Sequence, residues 1–171
     1  TLSLYSGQMC TTTQDIFVPA GGIETDEGHK SFDQVAADLG AAVDKLLSDA
    51  AVATAVLGAI QSPDTLKRIE EAPKLADVVL ASRRIDHPEF PKADVRTPVL
   101  LKADPSRESA YLQERFGPIS FVVKVPDAIG WWLTGSRWMP SWLRSTGSRS
   151  LVPRADRRGS ATVIGGGSLW R

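Results

Sequence analysis

The hydrophobic period of this chain changes near residue 77, and that change limits its fold more than any other feature. Before it, apolar residues recur at helical spacing. Phe32, Val35, Leu39, Val43, Leu46 and Leu47 lie mostly three or four apart, which predicts an amphipathic helix over about 32–48. Ser31 suits its N-cap and Asp33 its first turn. A shorter Ala-rich helical run over 51–60 ends near Gly58. Ser62-Pro63-Asp64 starts another helix, with Ser as cap and Pro at the first helical position, which Pro73 closes. After residue 77 the runs 77–82, 98–102 and 119–125 read as strands. A loop over 83–96 and a short helix capped by Ser106 separate them. An earlier run over 15–19, stopped by Pro19 and Gly21-Gly22, is also β-type, and 23–30 reads as a polar loop. Helices followed by strands indicate an α/β layer arrangement.

The 171 residues are enough for one domain with a real core, and 42% apolar with 23% charged content is ordinary for a soluble protein. No run reaches the roughly 18 apolar residues of a membrane span. One cysteine fits a reducing, cytoplasmic setting, and Thr1 in place of Met points to a processed or partial chain. The zero net charge conceals a split. Residues 129–171 hold seven arginines, no lysine, no glutamate and a single acid, Asp156, so the preceding part is acidic. All five tryptophans lie in that later part. The break predicts two segments of different origin, 1–127 and 128–171.

The single cysteine sits in Tyr5-Ser6-Gly7-Gln8-Met9-Cys10-Thr11-Thr12-Thr13. A lone cysteine cannot form an internal disulfide, so it serves packing or chemistry. Gly7 lets the backbone turn tightly before it. Residues 8–14 are expected to begin a short helix, whose first N–H groups would bring the thiol below its free pKa of about 8.5. Downstream, Glu114-Arg115-Phe116-Gly117-Pro118 joins the short helix to the last strand. Read alone it is a helix end, with Gly as the stop and Pro beyond it.

Taken in order, the two stretches resemble the aldehyde dehydrogenase superfamily. Gly7-Gln8-Met9-Cys10 is similar to its Gly-Gln-x-Cys nucleophile motif, and Glu114-x-Phe116-Gly117-Pro118 to its Glu-x-Phe-Gly-Pro motif. The wider run from Tyr5 to Thr12, the loop Gly22-Ile-Glu-Thr-Asp26, Arg96 to Lys102 and Arg115 to Val123 resemble the branch named for phenylacetic acid degradation, the PaaN type. The resemblance covers about residues 1–127. It implies an α/β fold: part of a three-layer α/β/α catalytic domain, lacking the nucleotide-binding domain. It makes Cys10 the nucleophile, forming a thiohemiacetal and then a thioester with an aldehyde. The Cys10 N–H would serve as an oxyanion donor. It makes Glu114 a ligand of the nicotinamide ribose and places Phe116 beside the cofactor, NAD or NADP. Thr11 and Thr12 would line the substrate tunnel, or else bond locally within a turn. The implied substrate is an aldehyde of aromatic catabolism, such as a semialdehyde carried as a CoA thioester.

The family's general-base glutamate, oxyanion asparagine, phosphate-contacting lysine and nucleotide-binding fold lie upstream of the cysteine in its full-length members. The chain is therefore expected to be inactive alone, needing an N-terminal half and, in the full enzyme, a homo-oligomer. A non-catalytic remnant acting as a structural or interaction fragment is the alternative. Residues 128–171 read as an irregular tail, of the composition a reading-frame change in a GC-rich gene would produce. Its interleaved Trp and Arg leave nucleic-acid binding as a weaker alternative, while a membrane partner is not expected. His29 and His87 show no ligand spacing, so no metal site is expected.

Overall fold

A computed structural model of the chain describes residues 2–126. The expectations for the segment 128–171 lie outside the described residues. The path begins with a tight 3-10 segment, Leu4–Gly7, and β1 (Asp15–Pro19), then a hairpin of β2 (Ile23–Thr25) and β3 (Gly28–Lys30). Three helices follow: α1 (Phe32–Leu46), α2 (Ala50–Val56) and α3 (Pro63–Glu71). The remainder is β4 (Asp77–Leu80), β5 (Arg84–Ile85), β6 (Val95–Arg96), β7 (Val99–Ala103), α4 (Glu108–Tyr111) and β8 (Ile119–Val125).

The helices start where their side chains can satisfy free N–H groups. Ser31 and Gln34 form a reciprocal capping box at α1, with the Gln34 N–H donating to Ser31 Oγ and the Ser31 N–H to Gln34 Oε1. Asp49 Oδ1 accepts from Ala51 and Val52 at α2, and Ser62 Oγ accepts from Asp64 at α3, where Pro63 occupies the first turn. Ser106 is not a cap. Its hydroxyl and its N–H both bond Asp104 Oδ1, so the chain turns first and α4 begins two residues later. The expected loop over 23–30 is the β2–β3 hairpin, and β5 pairs antiparallel with β6 inside the expected loop over 83–96.

Four strands form the central sheet in the order β1-β8-β7-β4. β8 runs parallel to both β1 and β7, and β4 is antiparallel to β7. Alternation along β7 and β8 divides the core into two layers. Val99, Leu101, Ile119, Phe121 and Val123 face a cluster with Ile69, Ala72 and Tyr111, from α3, the turn after it and α4. Leu100 and Val122 face Phe32 and Ala36 of α1, together with Val18 of β1. The sheet thus lies between helices on both faces, and its central strands are buried on both sides, as parallel strands require. This mixed, mainly parallel α/β arrangement matches the expected fold class.

Candidate active site

The loop that carries the cysteine is held in an unusual backbone conformation. Tyr5, Ser6 and Gly7 all have positive φ, at 51°, 52° and 62°. For Tyr5 and Ser6 this costs about 1–2 kcal/mol each. The surroundings oppose that cost with hydrogen bonds. Ser6 is fully buried and its Oγ donates to Gly58 O at 2.7 Å. The Gln8 side chain donates to Ala59 O at 2.9 Å and accepts from the Gln61 N–H at 2.9 Å. Gln8 therefore straps the loop to the segment before α3.

Gly7 has a second reason to lack a side chain. A Cβ there would lie 2.5 Å from Gly117 O and 2.9 Å from Pro118 Cα. The cysteine loop and the Gly117-Pro118 turn meet backbone against backbone. Gly117 has φ +134°, and a Cβ on it would lie 2.8 Å from Thr65 Cγ2. The two glycines that sequence reasoning assigned to separate turns form one contact.

Cys10 is exposed and lies on a turn closed by Thr12 N–H donating to Met9 O. The expected helix over 8–14 is absent. Residues 8–14 are irregular, between the left-handed run that ends at Gly7 and the start of β1 at Asp15. The backbone donors of a helix start are therefore not available to the sulfur. Glu114 lies, as read, on the stretch that joins the short helix to the last strand. α4 ends at Tyr111, and residues 113–116 form an irregular loop on which Glu114 is exposed.

Cys10 and Glu114 nevertheless line one cleft. Its volume is about 420 Å³, and its walls include Thr12, Asp15, Tyr111 and Arg115. Thr12 Oγ1 is buried there without a hydrogen-bond partner. Thr11 is exposed and is not among the lining residues. Phe116 is also outside the lining, and the residue is 43% exposed on the loop that carries Glu114. Its carbonyl accepts from Arg68 Nε at 3.1 Å, and Arg68 Nη2 bonds Thr65 Oγ1, so α3 anchors the loop that bears Phe116.

Sequence reasoning missed the residue that joins the two motifs. Gln14 Nε2 donates to Tyr111 O at 2.7 Å and to Gln113 O at 2.9 Å, while its Oε1 accepts from the Arg115 N–H at 2.7 Å. One amide thus fixes the backbone on both sides of Glu114 to the strand that follows Cys10. Its only local sign is a polar residue at the edge of an apolar run. Asp15 was also missed. Burial pushes its carboxyl up to about 7, with the Gln14 side chain pulling it down by less. Burial likewise raises the Tyr111 hydroxyl, helped by Glu108 and Asp15, and this hydroxyl donates to Pro105 O.

At the rim of the cleft Glu114 presents an exposed carboxylate, and Phe116, two residues on, an exposed side chain. Among the described residues, no group of three His, Cys, Asp or Glu side chains is placed to hold a metal ion. His29 instead bonds Glu24 across the β2–β3 hairpin. No helix of the described residues is long and apolar enough to cross a membrane.

No family model and no curated protein matches the chain. Among solved structures, it is similar to the NAD-dependent aldehyde dehydrogenase from Burkholderia multivorans, at 44% identity and a TM-score of 0.72. The likeness supports the aldehyde dehydrogenase superfamily. It covers 80% of this chain and 23% of the Burkholderia protein, so the chain spans under a quarter of that enzyme's length. The fold described above matches a part of a dehydrogenase catalytic domain.

Proposed function

We propose that this chain is the nucleophile-bearing part of an NAD(P)-dependent aldehyde dehydrogenase of the PaaN type. The observation that carries the reading is the shared cleft: Cys10 and Glu114, from opposite ends of the described chain, line the same cavity. Cys10 attacks the aldehyde carbon, and its sulfur forms the C–S bond of a thiohemiacetal. NAD or NADP, when bound, would supply the hydride acceptor, and the thioester left on Cys10 would be hydrolysed by water. Glu114 holds the cofactor ribose, and Phe116 flanks the cofactor at the cleft's rim. Thr12 lines the aldehyde's approach and offers its unpartnered hydroxyl to the substrate or a water. The substrate is a semialdehyde of aromatic catabolism carried as a CoA thioester, and the setting is the cytoplasm.

Turnover requires a general base and a nucleotide-binding fold supplied by an N-terminal half, in a homo-oligomeric enzyme. The test is NADH or NADPH formation at 340 nm with a semialdehyde, using this chain alone and mixed with a separately expressed N-terminal half. The expected result is turnover in the mixture only, abolished by Cys10→Ser. Turnover by the chain alone would contradict the need for a second half. Failure of every mixture, with both parts folded, would favour a non-catalytic remnant.

A further inference from the structure

A charged cluster outside the cleft lining sits on the β5–β6 hairpin. Arg84 and Arg96 are direct cross-strand partners there. Ile85 and Val95, the next pair, turn to the other face and pack with Leu47, Ala53 and Leu57. Like charges placed directly opposite each other oppose folding. The ladder is fastened so that it cannot turn them apart. Ile60 N–H donates to Asp94 O at 2.7 Å, Thr97 N–H to Arg83 O at 2.9 Å, and Arg83 N–H to Thr97 Oγ1 at 2.8 Å.

Six arginines lie among the described residues. Arg68, Arg83, Arg107 and Arg115 each donate to a backbone carbonyl. Arg84 and Arg96 instead meet carboxylates at arm's length. Arg84 Nη1 and Arg96 Nη2 both lie 3.7 Å from Asp94 Oδ1, and Arg84 Nε lies 3.7 Å from Oδ1 of the exposed Asp86. Those gaps are too long for hydrogen bonds. Ion pairs elsewhere in the chain do close, Lys102 to Asp33 and Lys30 to Asp38, both at 2.8 Å. In the open cluster, Asp94 Oδ1 and Arg96 Nε are buried without a hydrogen-bond partner. A buried acceptor and a buried donor left unpaired side by side are costly.

A ligand that relieves both must accept from the guanidiniums and donate to the carboxylate. A protonated phosphate group does so. Its oxygens match the planar forks of arginine, and its P–OH supplies the donor. The side chains of Arg84, Asp94 and Arg96 are 48%, 34% and 24% exposed, which leaves an approach from solvent. We propose that Arg84, Asp94 and Arg96 form a binding site for a phosphate group that carries a proton, either inorganic phosphate or the monoester end of a nucleotide-type ligand. The site stands independently of the function assigned above. Asp94 makes it selective, because its carboxylate accepts from a P–OH and repels a dianion such as sulfate that has no proton to offer. Asp86 competes weakly for Arg84, being solvated.

The test is calorimetric titration of the full chain at about pH 5.5, where a phosphate monoester retains a proton. The probes are inorganic phosphate, adenosine monophosphate and sulfate. Inorganic phosphate should bind about tenfold tighter than sulfate or better. Equal affinity for the two phosphates assigns the site to the phosphate group alone, and tighter adenosine monophosphate assigns it to a nucleotide-type ligand. Arg84→Gln and Arg96→Gln should each weaken phosphate binding about tenfold. Arg107→Gln removes an equal charge away from the hairpin and should leave binding unchanged. Asp94→Asn should bring sulfate within about threefold of phosphate. Three results would overturn the proposal: no saturable phosphate binding up to about 20 mM, sulfate binding the unmodified chain as well as phosphate does, or equal losses in Arg84→Gln and Arg107→Gln. Should Arg96→Gln fail to fold, Arg84→Gln, on the more exposed side chain, decides alone.

Discussion

Replacing Gly7 with alanine should separate the two halves of the candidate site. The added Cβ would sit 2.5 Å from Gly117 O, where ordinary contact begins at 3.4 Å. The obstacle is backbone on both sides, so no rotamer can move aside. The residue also has φ +62°, which costs an alanine about 1–2 kcal/mol. Prising the loops apart adds about 1–3 kcal/mol of lost packing. The total is about 3 kcal/mol, a large share of the stability of an ordinary domain. Gly58→Ala is the matched control. It adds the same methyl against the same loop, but at 3.5 Å from Tyr5 Cα, within ordinary contact. It should cost less than about 1 kcal/mol. Urea unfolding of both variants measures the difference directly. A Gly7→Ala chain no less stable than Gly58→Ala would refute the claim that backbone contact fixes the site.

Gln14→Ala removes three hydrogen bonds to partly solvated backbone and should cost about 1–2 kcal/mol. Amide exchange at Arg115 should quicken, whereas exchange within α1 should not. Ser31→Ala breaks the capping box and should cost about 1 kcal/mol in thermal or urea unfolding. Asp15 gives the chain a pH-dependent stability. Its folded pKa of about 7 exceeds the usual 3.8, so the folded state binds its proton more tightly than the unfolded state does. That contribution is complete below about 4 and is lost as the pH rises towards 7. The fall should be about 2 kcal/mol after allowance for partial solvent access. Asp15→Asn should flatten the slope between pH 4 and 7 in urea titrations, and an unchanged slope would assign it to other groups.

What was legible in the sequence was mostly local. Ser31 and Ser62 cap their helices as read, because a cap bonds an amide two or three residues away. The long β8 run was legible because every residue from Ile119 to Val123 is buried. Ser106 was misread because Asp104, two residues earlier, competes for its hydroxyl and its N–H. The three-residue strands β2 and β3 are too short to show a period. The site was legible as two motifs but not as one cleft. The helix expected at Cys10 failed because a left-handed Tyr5-Ser6 pair leaves no mark on composition. Gln14 escaped notice because its partners are tertiary, with the Arg115 N–H 101 residues further along.

The parallel pairing of β1 with β8 also sets an order of events in folding. Phe121 N–H donates to Gln14 O, and Ser120 Oγ donates to Thr13 O, so the segment after Cys10 is stitched to the last described strand. During synthesis β1 leaves the ribosome roughly a hundred residues before its partner β8. Closure of so long a loop is slow, and α1 and α3 can form from local contacts before it. The cleft that brings Cys10, Asp15 and Glu114 together is therefore a late product of folding. A ribosome-stalled chain ending before β8 would carry the cysteine without the cleft around it.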